Sequence, residues 1–256
     1  MIVVQDLWKT FPADSERRKE HRLNKEEKTV NAVSGISFTC RPGRIFTLLG
    51  PNGAGKTTTL RMIATLMKPT RGTITVESFD VVRQPQDVRR HIGFLTGSTK
   101  LYERLTAEET VKYYADLHGM DQKTFAKRKD ELFTLLGIHE FANRRIGKLS
   151  SGMRKKVSIA RTMIHDPAVV VFDEPTVGLD VITARNIIEL IRSCKTAGKT
   201  VIFSTHIMGE VSLLSDDFAV IHHGKLCYNG TYDDFRATMK GKSLEEAFIH
   251  IVEEAA

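Results

Sequence analysis

Apolar and polar positions change rhythm several times along this chain. "IVVQDLWKTF" alternates like a half-buried strand. The next stretch, 13–28, "ADSERRKEHRLNKEEK", mixes charges of both signs with one large aliphatic residue, Leu23. It has nothing to bury and reads as a solvated loop or hairpin tip. "VNAVSGISFTC" and "RIFTLL" resume as strands, "TTTLRMIATLM" takes helical spacing and stops before Pro69, and "GTITVESFDV" reads as one more strand. Between about 100 and 150 the strand pattern disappears. "TAEETVKYYADLHGM" and "FAKRKDELFTLLGI" are amphipathic helices separated by Gly and Asp. After Ser150 strands and helices alternate: "MRKKVSIARTMI", "AVVVF", "ARNIIELIRSC", "TVIFS", "MGEVSLLS", "FAVIHHG" and "KLCYNG". Alternating strands and helices predict an α/β fold with a parallel, helix-covered sheet, here divided by an all-helical insertion. No repeat, low-complexity tract or flexible linker interrupts it.

Composition narrows the class without choosing a function. The 256 residues are 41% hydrophobic and 27% charged, as in an ordinary globular protein. No run of 18 apolar residues is present, so the chain is not expected to span a membrane by itself. Its first ten residues lack the basic and apolar regions of a signal peptide. Cys40, Cys194 and Cys227 are odd in number and far apart, which suggests neither a disulfide framework nor a metal site and fits a reducing compartment. The net charge of +7 suits anionic partners such as nucleotides, nucleic acid or acidic headgroups, and selects none of them.

Two stretches carry chemistry. "GPNGAGKTT" (50–58) follows an apolar strand and opens a helix. Gly50, Gly55, Lys56 and Thr57 stand at the spacing of a phosphate-binding loop, with Pro51, Asn52, Gly53 and Ala54 between them. Flexible backbone there lets successive N–H groups converge on an anion, and the following helix adds its positive end. Lys56 is expected to reach the β- and γ-phosphates, Thr57 to ligate Mg²⁺, and Thr58 to add a phosphate contact. Farther on, "VVVFDE" ends a wholly apolar run in two carboxylates. Ligands of open α/β sheets bind at that strand edge. Asp173 is placed to hold Mg²⁺ and Glu174 to polarise water as a general base.

Four further stretches resemble the ATP-binding-cassette (ABC) ATPases. "LSSGM" (149–153) is similar to their signature, "GLD" (178–180) to their D-loop, and "FSTH" sets His206 where the family keeps a switch histidine. The long run from "GIHEFANRRIGKLSSGM" to "FDEPTVGLD" is similar throughout. The resemblance implies an ABC nucleotide-binding domain: a RecA-like parallel-sheet core, an N-terminal antiparallel β subdomain and an inserted helical subdomain. It places the core in 1–95 and 156–235, the helical subdomain in 96–155 and a C-terminal helix in 236–256. Ser150, Ser151, Gly152 and Met153 would bind the γ-phosphate of ATP held by a second copy, the Ser150 hydroxyl and the Gly152 N–H at a helix start being suited to an anion. Ser151 and Met153 depart from the family's Gly and Gln. Asp180 would serve in the D-loop, and His206 would hydrogen-bond the γ-phosphate. Phe11 aligns with the aromatic that stacks on adenine, with Trp8 competing. Gly97 stands where the family has Gln, leaving Thr96 or Ser98 to substitute or the coupling to run differently.

"TTTLRMIATLMKPTRG", "LYERLTAEE", "FSTHIMGEV" and "SLEEAF" look like the sodium-exporting, NatA-type branch. That implies ATP and Mg²⁺ as ligands, a head-to-tail homodimer, a separate membrane permease of about six helices, and a place on the cytoplasmic face of the membrane. Motor motifs do not identify cargo, so a drug, antibiotic or polysaccharide exporter is the alternative. A soluble ABC ATPase of DNA repair or translation is disfavoured by the absence of a basic stripe, and no nucleic-acid partner is expected. A nucleotide-binding regulator without turnover is disfavoured by the intact Lys56, Asp173, Glu174 and His206.

Overall fold

The computed structural model describes residues 1–13, 28–96, 100–239 and 243–254. Gly97, Ser98 and all of segment 13–28 except its two ends lie outside them.

Two sheets organise the chain. The first is antiparallel: β1 (Ile2–Pro12) pairs with β2 (Thr29–Cys40) and β4 (Arg71–Val76), and β4 turns back into β5 (Phe79–Asp80). The "GTITVESFDV" run is therefore a hairpin rather than one strand. Its turn uses left-handed Glu77 and Ser78, at φ 47° and 70°. The second sheet has the order β10-β9-β3-β8-β7-β6. Strands β3 (Ile45–Leu49), β6 (Ile92–Leu95), β7 (Val169–Asp173), β8 (Thr200–Thr205) and β9 (Asp217–His222) run parallel, and β10 (Lys225–Thr231) is antiparallel at the edge.

The burial patterns explain why these strands read differently in sequence. Every residue of β3, β7 and β8 is buried, because both faces of that sheet are covered. Period 2 then divides β7 and β8 between two cores. Val169 and Val171 join Ile202, Phe46 and Leu48 in a core that takes in β1, β2, β4 and helix α1 (Lys56–Ile63). Val170 and Phe172 join Val201 and Phe203 in the core on the opposite face. That second core receives α3 (Ala107–Leu117), α4 (Gln122–Leu136), α5 (Ser151–Met163) and α6 (Val181–Thr196). α3 begins with a reciprocal cap between Thr106 and Glu109.

Two elements differ from the sequence reading. "PQDVRRH" forms α2 (Pro85–His91), a helix too short to show a period, with Pro at its first position. The region 236–256 is not one helix. It begins inside α8 (Tyr232–Thr238) and resumes as α9 (Leu244–Glu254), which a second reciprocal cap starts: Glu246 N–H donates to Ser243 Oγ and Ser243 N–H to Glu246 Oε2. The hairpin of β1 and β2 closes with Ala13 N–H on Lys28 O at 2.9 Å, so segment 14–27 leaves and returns at one hydrogen-bonded pair.

Candidate functional site

The loop between β3 and α1 curls over the sheet's C-terminal edge. Two glycines have no alternative there. A Cβ on Gly50 would lie 2.2 Å from the Ile221 carbonyl oxygen, and one on Gly55 would lie 2.5 Å from the Ala32 carbonyl oxygen. Gly55, at φ 108°, is also the N-cap of α1 and offers no side-chain cap, which leaves the first N–H groups of the helix for a ligand. Pro51, Asn52, Gly53, Ala54, Gly55, Lys56, Thr57 and Thr58 line a cleft of about 580 Å³. Phe11, Thr96, Asp173 and Glu174 line it too; Trp8 does not, its indole N–H being engaged with Asp6 at 2.8 Å.

Lys56 is 4% exposed. Its ammonium donates to Gly50 O at 2.7 Å and Pro51 O at 3.1 Å, and lies 3.3 Å from Glu174 Oε1. Asp173, the last residue of β7, is buried, and its Oδ1 accepts from Thr57 Oγ1 at 2.9 Å and Ser204 Oγ at 2.8 Å. Glu174 follows in a left-handed conformation, φ 47°, which costs a non-glycine residue about 1–2 kcal/mol. Ser204 holds it there: Glu174 N–H donates to Ser204 O at 3.2 Å and to its Oγ at 3.1 Å. His206 Nδ1 stands 3.2 Å from Glu174 Oε1. Burial pushes the Glu174 carboxyl up, but His206 and Lys56 outweigh it and hold the group below the ordinary glutamate value. Glu174 is thus ionised at neutral pH, with one oxygen gathered between two basic groups.

The stretch Ser150–Met153 is not part of this cleft. Ser150 is exposed and caps α5, its Oγ accepting from Met153 N–H at 3.2 Å. Met153 packs its side chain against the core. Gly152 faces Asp180 of the same chain: a Cβ there would lie 3.7 Å from Asp180 Oδ2. Asp180 caps α6, accepting from Thr183 N–H at 2.9 Å and Thr183 Oγ1 at 2.8 Å, bonds that lower its carboxyl below the ordinary value.

Three side chains lining the cleft or bonded beneath it escaped the sequence reading. Ser204 sits in "TVIFST" with no local mark of its role. Lys155 was hidden in the basic run of α5; it lines the cleft, where burial lowers its ammonium below the usual lysine value and Asp173 and Glu174 oppose that. Arg61 adds a second basic group on α1. Thr57 Oγ1 and the Asp173 carboxylate offer converging hard oxygens, a donor set that fits Mg²⁺.

Residues 33–177 match the ABC transporter family. The chain belongs to that family. The ABC transporter ATP-binding protein NatA of Bacillus subtilis is 42% identical over 89% of this chain and 93% of its own length. The linearmycin resistance ATP-binding protein LnrL of the same organism is 33% identical over 90% of this chain and 73% of its own. A solved ATP-binding cassette, a dimer in a post-hydrolysis state with ADP and Pi, superposes with a TM-score of 0.79 at 25% identity, covering 90% of this chain and 98% of that one. As an ABC ATPase, this chain binds and hydrolyses ATP. Its antiparallel subdomain, mixed sheet and inserted helices are those of an ABC nucleotide-binding domain. Among the described residues no helix is long and apolar enough to cross a membrane.

Proposed function

We propose that this ABC ATPase is the motor of a bacterial exporter of the NatA type, moving Na⁺ through a separate permease. The observation that carries the catalytic part is the sharing of Glu174 Oε1 by Lys56 and His206 at the edge of the phosphate loop. Glu174 takes the proton of the attacking water as general base, and His206 orients that water and the terminal phosphate. Lys56 and the N–H groups of Gly53 to Thr58 hold the phosphates, over which Phe11 meets the adenine. Thr57 and Asp173 would hold Mg²⁺, which when bound would neutralise phosphate charge.

Ser150, Ser151, Gly152 and Met153 serve the ATP of a second copy, head to tail, with Asp180 beside them. That a solved relative is a dimer supports the pairing of two copies. Only a triphosphate reaches both halves, so ATP favours the closed pair and hydrolysis reopens it. We assign 96–155 to the lever that meets a permease of about six helices at the cytoplasmic face of the membrane. The resemblance to the linearmycin resistance protein favours a second cargo reading, export of an antibiotic by the same motor.

Glu174→Gln keeps shape and removes basicity. Turnover should fall at least ~10²-fold while ATP still binds. Near-wild-type turnover with intact binding would take Glu174 out of the role. Flux of ²²Na⁺ against flux of an antibiotic, in vesicles carrying the permease, separates the two cargoes.

A further inference from the structure

Among the described residues two buried carboxylates lie outside the site as described: Asp217, which is paired with Arg44 at 2.6 Å, and Glu210. Glu210, in α7 (Met208–Leu214), is 7% exposed, and among the described residues it forms no ion pair. Burying a carboxylate without a counter-charge is costly unless hydrogen bonds satisfy it. Two hydroxyls do so, one on each oxygen. Thr176 Oγ1 donates to Oε1, and Thr205 Oγ1 donates to Oε2 at 2.5 Å.

The two donors belong to different segments. Thr176 lies two residues beyond Glu174, and Thr205 adjoins His206. Thr205 has two further bonds: its hydroxyl accepts from Ile207 N–H at 3.0 Å, and its carbonyl accepts from Gly50 N–H at 3.3 Å. Through these bonds Glu210 reaches the general-base segment, the histidine segment and the first residue of the phosphate loop. An acidic residue in the first turn of a helix ordinarily serves that helix's own N–H groups. Both side-chain bonds of Glu210 go instead to hydroxyls outside α7.

We propose that Glu210 is a positioning residue that sets the spacing of Glu174 and His206. Bonded to both segments, its side chain acts with the Ser204 bonds to the Glu174 N–H in holding the 3.2 Å contact between His206 Nδ1 and Glu174 Oε1. The carboxylate suits this task because its two oxygens accept separate bonds at once, whereas an apolar residue of equal size would leave both threonine hydroxyls without their partner. The inference rests on the reading of Glu174 and His206 given above.

The test is a kinetic double-mutant cycle in the full chain, with ATP affinity read by a fluorescent ATP analogue. Glu210→Ala should lower kcat by about 10- to 100-fold, the scale of a sub-ångström to ångström misplacement, and leave affinity within about 2-fold. Glu210→Gln should recover most of kcat, since an amide accepts from one hydroxyl and donates to the other. Added to His206→Ala, Glu210→Ala should cost almost nothing more, because the two act as one unit. Should Glu210→Ala fail to fold, Thr205→Val removes one donor at constant shape and enters the same cycle. Losses that multiply with that of His206→Ala, or affinity and kcat falling in parallel, overturn the positioning role alone. Unchanged kcat in both His206→Ala and Glu174→Gln overturns the reading of the site, and this proposal with it.

Discussion

The starts of α1 and α5 are built from the same element and finished differently. Both are helix N-termini entered from a short loop. At α1 the cap is a left-handed glycine without a side chain, the loop folds over, and Lys56 is buried beneath it. At α5 the cap is Ser150, which satisfies the Met153 N–H itself and stands exposed. The first end encloses an anion site with its own cation. The second offers a hydroxyl, a dipole and open surface. That contrast is what the proposed pairing of two cassettes builds on: in that reading the second end takes an anion already held by the other copy.

The largest effect should come from removing the cation that completes the first end. Lys56→Ala should weaken ATP binding roughly 10²-fold by calorimetry, the scale of a charge-assisted bond lost from a buried phosphate site. Unchanged affinity would erase the contrast between the two ends.

The second end is tested by crowding it. In the Glu174→Gln background, ATP should drive a dimer in sedimentation velocity, while ADP leaves monomer. Adding Ser150→Arg should abolish that dimer and leave ATP binding within about 3-fold. A dimer that persists in the double mutant would make α5 an ordinary capped helix.

A smaller effect concerns the anchorage of α5 at its other end. His165, just beyond the helix, stacks on His118 at 3.7 Å and bonds Ile92 O through Nε2. Burial first, then His118 and Lys199, push its imidazole down to about 4, against Asp166 and the Ile92 carbonyl. The unfolded chain therefore takes up a proton near pH 6.5 that the folded chain refuses until about pH 4, so this contribution to stability declines as pH falls through that window. His165→Gln should remove the decline. The difference in unfolding free energy between wild type and variant should change on the order of 2 kcal/mol between pH 7 and pH 4.5, measured in urea. An unchanged difference would detach the histidine pair from α5.

The smallest effect should follow from replacing 14–27 with a Gly-Ser turn. The hairpin already closes at Ala13 and Lys28, so both helix starts should keep their geometry and turnover should stay within about 2-fold. A folded deletion that cannot hydrolyse ATP would show that the segment serves one of the two ends.

Much of this was legible in the sequence because burial on both faces leaves a strong mark. "RIFTLL" and "AVVVF" read as buried strands, and the loop after β3 announced its chemistry through glycines that the backbone requires. What escaped was short or nonlocal. α2 has too few residues to show a period, and the hairpin of β4 and β5 turns on Glu77 and Ser78, which carry no turn signature. Ser204, Lys155 and Glu210 went unread because distant strands and helices bring them against Asp173, Glu174 and Thr176. A pattern read along the chain carries no distance across the sheet.

β7 also has a mechanical meaning. Its even and odd residues are gripped by separate layers, with Val169 and Val171 in one and Val170 and Phe172 in the other. Packed interiors compress little, so a push on either layer is delivered to the strand rather than absorbed. The strand works as an axle shared by two wheels, with Asp173 at its tip. Asp173 therefore ends the strand at which the layer holding the inserted helices and the layer holding the antiparallel sheet meet.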